Sequence, residues 1–306
     1  MKIKHPIYFL LVLLLASYSC KEKSGITTPE IPDPGVDVIS LPVVVHILHN
    51  GETIGDGPNL SAERIKRQIE ILNEDFRRKP GTRGFNDHPD GGDAKIEFVL
   101  AKQTPDGGPT NGINRIDISS IDVPQLGYIP NHYAQYVYWN PSKYINVWTT
   151  PLPESLACTI LGVSTGPEID LPGIDLLLLP EPEGAEGILI NWPHFGESDI
   201  DCDARYGRTL THEMGHYLGL LHTWGTKDCE TNDYIDDTPA VDREVSGSNP
   251  FTGCSGDPVM IENYMNFTAD EVMNIFTKDQ ISRMHYVLEN HQGRNALINS
   301  AMLEAP

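Results

Sequence analysis

Apolar and polar positions alternate between two periods along this 306-residue chain. Leu41 to Leu48, LPVVVHIL, is a short run rich in β-branched residues, the pattern of a strand buried on both faces. Ser61 can cap a helix running to about Arg78, in which Ile65, Ile69, Leu72 and Phe76 repeat at helical spacing on one face. Lys95 to Ala101 predicts a second strand, Asn111 to Ser119 a turn and short strand, and Tyr144 to Thr149 a third strand. His46 and His49 fall in the first strand and are read as packing or surface residues. The aromatic stretch His132 to Trp139 fits neither period and is read as packing. Cys158 to Ser164 predicts a short edge strand, followed by a loop and the segment Gly173 to Leu179.

Arg208 to Leu220 predicts a helix near mid-chain. The chain then lacks periodicity until Thr277 to Asn290, where Thr277 is the expected N-cap and Gln280 holds the capping-box position. No internal repeat occurs. Strands and helices alternate in the first half while the second half is irregular. This predicts an α/β or α+β domain with a helix near mid-chain and a C-terminal helix.

The chemistry concentrates in the mid-chain helix, in the string HEMGHYLGLLH. Residues four apart share a helix face, so His212 and His216 can hold one metal ion with Glu213 beside it. Gly219 can take a positive φ without steric cost, which lets the chain leave the helix and return His222 as a third ligand. Three imidazoles leave a fourth position open, the arrangement of a catalytic rather than a structural zinc site. Glu213 is the expected general base, and the reaction class is metal-assisted hydrolysis of an amide. An extended peptide is expected to add as a strand along the edge at Leu161, Gly162 and Val163, continuing to Ser164.

Composition narrows the setting. Lys2 and Lys4 precede an apolar run from Ile7 to Ala16, then small residues and Cys20, which reads as a secretory signal over residues 1–19. The run is too short to span a bilayer comfortably. Cys20 at its end is the expected lipidation site of an exported lipoprotein, and the proline-containing residues 20–39 read as a flexible tether to a domain spanning 40–306. Loss of residues 1–19, with two lysines and no acid, takes the formal charge from −21 to −23. So acidic a surface disfavours nucleic acid and anionic membranes, leaving the lipid as the only expected membrane contact. A monomer is expected. Four further cysteines, Cys158, Cys202, Cys229 and Cys254, fit two disulfides with three possible connectivities. No C-x-x-C spacing occurs.

HEMGHYLGLLH resembles the long metzincin zinc signature, and Asn263-Tyr264-Met265-Asn266 resembles the Met-turn that places Met265 beneath the metal. GRTLTHEMGHYLGLLHTWG, then Asp236 to Pro239, then ENYMNF, is similar to the pappalysin family of metalloproteases, with LPVVVHILHNG and QIEILNEDFRR in support. The likeness covers roughly residues 40–290. It implies an α/β (α+β) metzincin-like catalytic domain: a twisted, mostly parallel sheet with backing and active-site helices in an N-terminal subdomain to about residue 219, and an irregular C-terminal one from about 220 with the Met-turn and a C-terminal helix. It implies calcium held by Asp233, Asp236 and Thr238, whose oxygens are the hard ligands calcium takes. It also implies a disulfide between Cys229 and Cys254, and with it one between Cys158 and Cys202. Glu271 is expected near the pocket for the residue after the cleaved bond, where an acid favours lysine or arginine. Two departures stand out. Phe267 occupies the place of a tyrosine that can stabilise an oxyanion, and Val272 that of a family cysteine. Phe267 is the main support for a second reading, an inactive zinc-holding binding module; the intact Glu213 argues against it.

Overall fold

Strands made almost wholly of apolar residues need cover on both faces, and the fold provides it. The computed structural model describes residues 37–120, 130–151, 158–177, 185–230, 232–298 and 300–306. The proposed signal, Cys20 and most of the tether lie outside the described residues. The described elements are β1 (Ile39–His49), α1 (Ala62–Phe76), β2 (Ile96–Leu100), β3 (Ile113–Asp117), α2 (Pro130–Ala134), β4 (Ile145–Thr150), β5 (Gly162–Ser164), β6 (Ile188–Asn191), α3 (Arg208–Tyr217), α4 (Lys278–Asn290) and α5 (Gln292–Ile298).

One sheet runs β2-β1-β4-β6-β5, with β3 also pairing β1. β1 is long enough to serve two neighbours in succession. Ile39 to Val43 pairs with β2, and Val45 to His49 pairs with β3. All pairs are parallel except β5 with β6, so the sheet ends in one short antiparallel edge strand.

Alternation splits the side chains between two layers. Val43, Val45 and Ile47 of β1, Ile145 and Val147 of β4, and Ile188 and Ile190 of β6 meet Ile65, Ile69, Leu72 and Phe76 of α1 and Leu210, Met214 and Tyr217 of α3 in the main core. On the opposite face Leu48, Trp148 and Leu189 pack with Tyr133 of α2. His46 lies on that face, fully buried; its ring nitrogens meet the Asn146 side-chain oxygen at 2.9 Å and the Asn114 amide at 3.2 Å. Burial pulls its pKa down to about 4. After α3 the chain is irregular and builds its own small cluster from Trp224, Val241, Val245, Val259 and Ile261.

The predicted helices and strands fall where the periodicity put them, within three residues at each end, except that the edge strand begins at Gly162 rather than Cys158. α1 carries the Ser61 cap and α4 the full Thr277–Gln280 capping box. Two differences have physical reasons. The mid-chain helix ends at Tyr217 rather than Leu220, because Gly219 takes φ +91° and turns the chain. β6 is not foreseen, because four residues of ILIN carry too little pattern to separate from a loop. Residues 174–176 form a single 3₁₀ turn. Among the described residues no helix is long and apolar enough to cross a membrane.

Candidate active site

The site is built on α3, which is fixed at both ends. Asp270 accepts hydrogen bonds from the Tyr206 and Arg208 amides at 2.7 and 3.2 Å, so a carboxylate distant in sequence caps the helix N-terminus. Arg208 and Thr211 project backwards and both bond Asp75 of α1, at 3.1 and 2.7 Å, in a fully buried pair. Burial raises the Asp75 carboxyl to about 6, against the lowering effect of Arg208. At the other end Leu220 N–H donates back to Gly215 O at 2.9 Å, closing the turn at Gly219.

That turn brings His222 to His212 and His216. The Nε2 atom of His222 lies 3.3 Å from that of His212 and 3.1 Å from that of His216, and one ligand atom of each ring lies within 4.8 Å of the others. Nδ1 of His212 donates to Tyr264 O, and Nδ1 of His216 to Leu220 O, both at 2.7 Å. These bonds fix the tautomer, so each Nε2 presents a lone pair to the common centre. Burial is the main cause that pulls all three rings below their ordinary pKa, His212 to about 3 and His216 to about 4. Converging lone pairs at such separations repel unless a cation lies between them. Neutral imidazoles facing inward, two of them oriented by a carbonyl on the far side, suit zinc.

Glu213 is 7% exposed, and burial pushes its carboxyl up to about 8. A Cβ added to Gly162 would lie 2.9 Å from Glu213 Cγ, so β5 passes directly over the acid. Met265 is fully buried beneath the histidines, and a Cβ at Gly215 would collide with its sulfur. Phe267 is half exposed on the rim, its ring 4.7 Å from that of His222; Trp224 stacks on His222 at 4.4 Å and meets Phe267 edge-on at 4.9 Å, so the three rings pack together.

A cleft of about 980 Å³ runs past these residues. Leu161, Gly162 and Val163 line it. Asp201, Asp203 and Asp270 line it too, beside Arg208 and Thr209 at the start of α3, whereas Leu176, Leu177 and Leu221 supply apolar lining. Glu271 does not line the cleft. A tight turn, with Val272 N–H donating to Ala269 O at 2.9 Å, leaves Glu271 exposed while its neighbour Asp270 faces inward.

In the loop after His222, Thr238 donates to both oxygens of Asp233, at 2.8 and 2.9 Å, and both residues are buried. Burial raises the Asp233 carboxyl to about 7. Asp236 is exposed and its side chain does not join them. Disulfides join Cys229 to Cys254 around this loop, and Cys158 to Cys202 beside the cleft.

Comparison with known proteins adds to this geometry. The family model described as Pregnancy-associated plasma protein-A matches residues 183–289. Mature mirolysin of Tannerella forsythia, solved in complex with a cleaved peptide, is 31% identical; the match covers 89% of this chain and 100% of that one, with a TM-score of 0.71. An extracellular metalloprotease of Arthroderma benhamiae is 27% identical over 254 residues, 80% of this chain and 71% of that protein. One of Arthroderma otae is 42% identical over 81 residues, only 26% of this chain and 30% of that protein.

Proposed function

The chain belongs to the Pregnancy-associated plasma protein-A family of zinc metalloproteases, and on that premise we propose that it is an exported endopeptidase in which His212, His216 and His222 hold the zinc and Glu213 is the general base. The observation that carries this reading is the convergence of three inward-facing Nε2 atoms beside one buried carboxylate. Zinc, when bound, supplies Lewis-acid activation of water and of the scissile carbonyl. Glu213, kept ionised by the adjacent positive charge, takes the proton of the attacking water and returns it to the leaving amine. Gly162 and its neighbours hold the substrate extended along the sheet edge. Phe267 brings no hydroxyl to the oxyanion.

The acidic part of the cleft supports a preference for lysine or arginine after the scissile bond. The residues assigned to it are Asp203 and Asp270, in place of Glu271. Calcium at Asp233 and Thr238, with a backbone carbonyl near Asp236, is supported by a buried carboxylate whose high pKa a dication would relieve. Export is supported by the two disulfides and by the extracellular relatives, and Cys20 is the proposed lipid anchor.

The test is cleavage of casein and of a proteome-derived peptide library, with fragments mapped by mass spectrometry. Hydrolysis blocked by a chelator and reduced about 10²–10⁴-fold in Glu213→Ala is expected. A zinc-loaded protein that cleaves nothing favours the inactive binding module. A cleavage profile with no basic preference removes the pocket assignment alone.

A further inference from the structure

The route from the second histidine ligand to the third passes through Gly219, and the C-terminal helix takes hold of that residue. Arg283 of α4 donates from Nε to Gly219 O at 2.6 Å and from Nη2 to Pro172 O at 2.8 Å. Val287 stands one helical turn further on the same face of α4. A Cβ on Gly219 would lie 2.8 Å from its Cγ2, so the two side chains grip one turn from one face. Arg283 is 7% exposed, and burial pulls its pKa down to about 10. Among the described residues it forms no ion pair within 4 Å; the charge of Asp233, in the loop after His222, acts on it from further away. A guanidinium buried this far from a direct counter-ion is costly to keep. Its two carbonyl bonds and the negative end of α3 offset that cost where the chain turns toward His222.

We propose that Arg283 is a positioning residue for the zinc site, bridging Gly219 O and Pro172 O so that His222 is held at the distance from His212 and His216 that one metal ion requires. The proposal rests on the zinc reading above. A planar fork can bond two carbonyls at once, whereas a lysine ammonium at the end of a flexible stem does so poorly. Loss of the bridge should loosen His222 more than the other two, because those are fixed by the helix and by their own carbonyl partners.

The experiment uses full-length zinc-free protein of wild type, Arg283→Lys, Arg283→Met and a stability control, Ile281→Val. Zinc affinity is read by competition with a chromophoric chelator, and the ligand field from the visible spectrum of the cobalt-loaded protein. Both Arg283 variants should bind zinc about 10–100-fold more weakly than wild type, the range for loss of a group that orients a ligand. Their cobalt bands should shift and kcat should fall with KM little changed, while Ile281→Val moves stability alone. If Arg283→Met does not fold, Arg283→Lys decides. Unchanged zinc affinity and cobalt spectrum in the folded variants, against a wild type that binds one zinc, would overturn the proposal and leave the zinc reading intact. A wild type that binds no zinc ends both.

Discussion

Two residues show how single positions are set by what they touch. Gly215 sits inside α3, where alanine would ordinarily gain about 1 kcal/mol in helix propensity. Here the added methyl meets the buried Met265 sulfur, and overpacking of this kind costs about 1–3 kcal/mol. Gly215→Ala should therefore lower stability, the reverse of the usual sign, when urea unfolding is measured on zinc-free protein. His46 sets a pH dependence remote from the cleft. Its folded pKa, about 4, lies below the ordinary 6.5, so the unfolded chain binds the proton more readily. The neutral ring carries no penalty above about 6.5, and stability is lost as pH falls from there toward 4. The groups around it, Asn146, Asn114, Trp139 and Trp148, are uncharged and supply no compensating titration. Wild type should lose about 2 kcal/mol more than His46→Gln between about pH 7.5 and pH 5. Parallel pH profiles of the two proteins would refute the assignment.

At the scale of elements, the edge strand separates a structural from a binding role. Leu161 O accepts from Asn191 N, and Thr165 N donates to Gly187 O. Antiparallel alternation then turns the backbone of Val163 toward β6 and that of Gly162 and Ser164 outward, to where a substrate strand adds. Ser164→Pro removes an outward N–H and leaves the ladder intact, so the protein should fold and KM rise about tenfold with zinc retained. Val163→Pro removes a ladder bond and should lower the melting temperature instead. Equal effects from both variants would remove this division. The same short strand marks how far sequence reading reaches. α1 and α4 were legible because each carries its own pattern and cap, and β1 because its apolar run is long. β6 and the contacts of Asp270 and Arg208 with other elements were not, because four residues of strand hold no period and a partner 62 positions away leaves no local trace. The three histidines were legible because one helix and one glycine set their spacing. Arg283 was invisible, since its meaning lies in a turn made by another element.

For the molecule as a whole, the placement of the core decides what metal removal does. The main cluster joins the sheet to α1, α3, α4 and α5 through aliphatic and aromatic side chains, and it reaches the histidines only through α3 and the turn of Tyr264 and Met265. The irregular half has a cluster of its own and the Cys229–Cys254 disulfide. Neither draws on the metal for cohesion. This contrasts with small zinc domains, whose folding free energy is the binding free energy. Chelation should therefore abolish hydrolysis while leaving the far-ultraviolet circular dichroism unchanged. The melting temperature should fall only by the linkage term, about 4 kcal/mol for free zinc at a thousand times its Kd. For a domain of this size that corresponds to roughly 10 °C. A protein that loses its secondary structure at room temperature on chelation would contradict this, and would make the zinc a structural element rather than a catalytic one. The three Nε2 atoms make the sharper comparison. With the ion gone, the Nε2 atom of His222 faces those of His212 and His216 at 3.3 and 3.1 Å. The strain of that arrangement should relax by movement of His222, the ligand carried on the turn rather than on the helix. Amide exchange after chelation should accordingly rise around Gly219 to Trp224 and stay low from Arg208 to Tyr217.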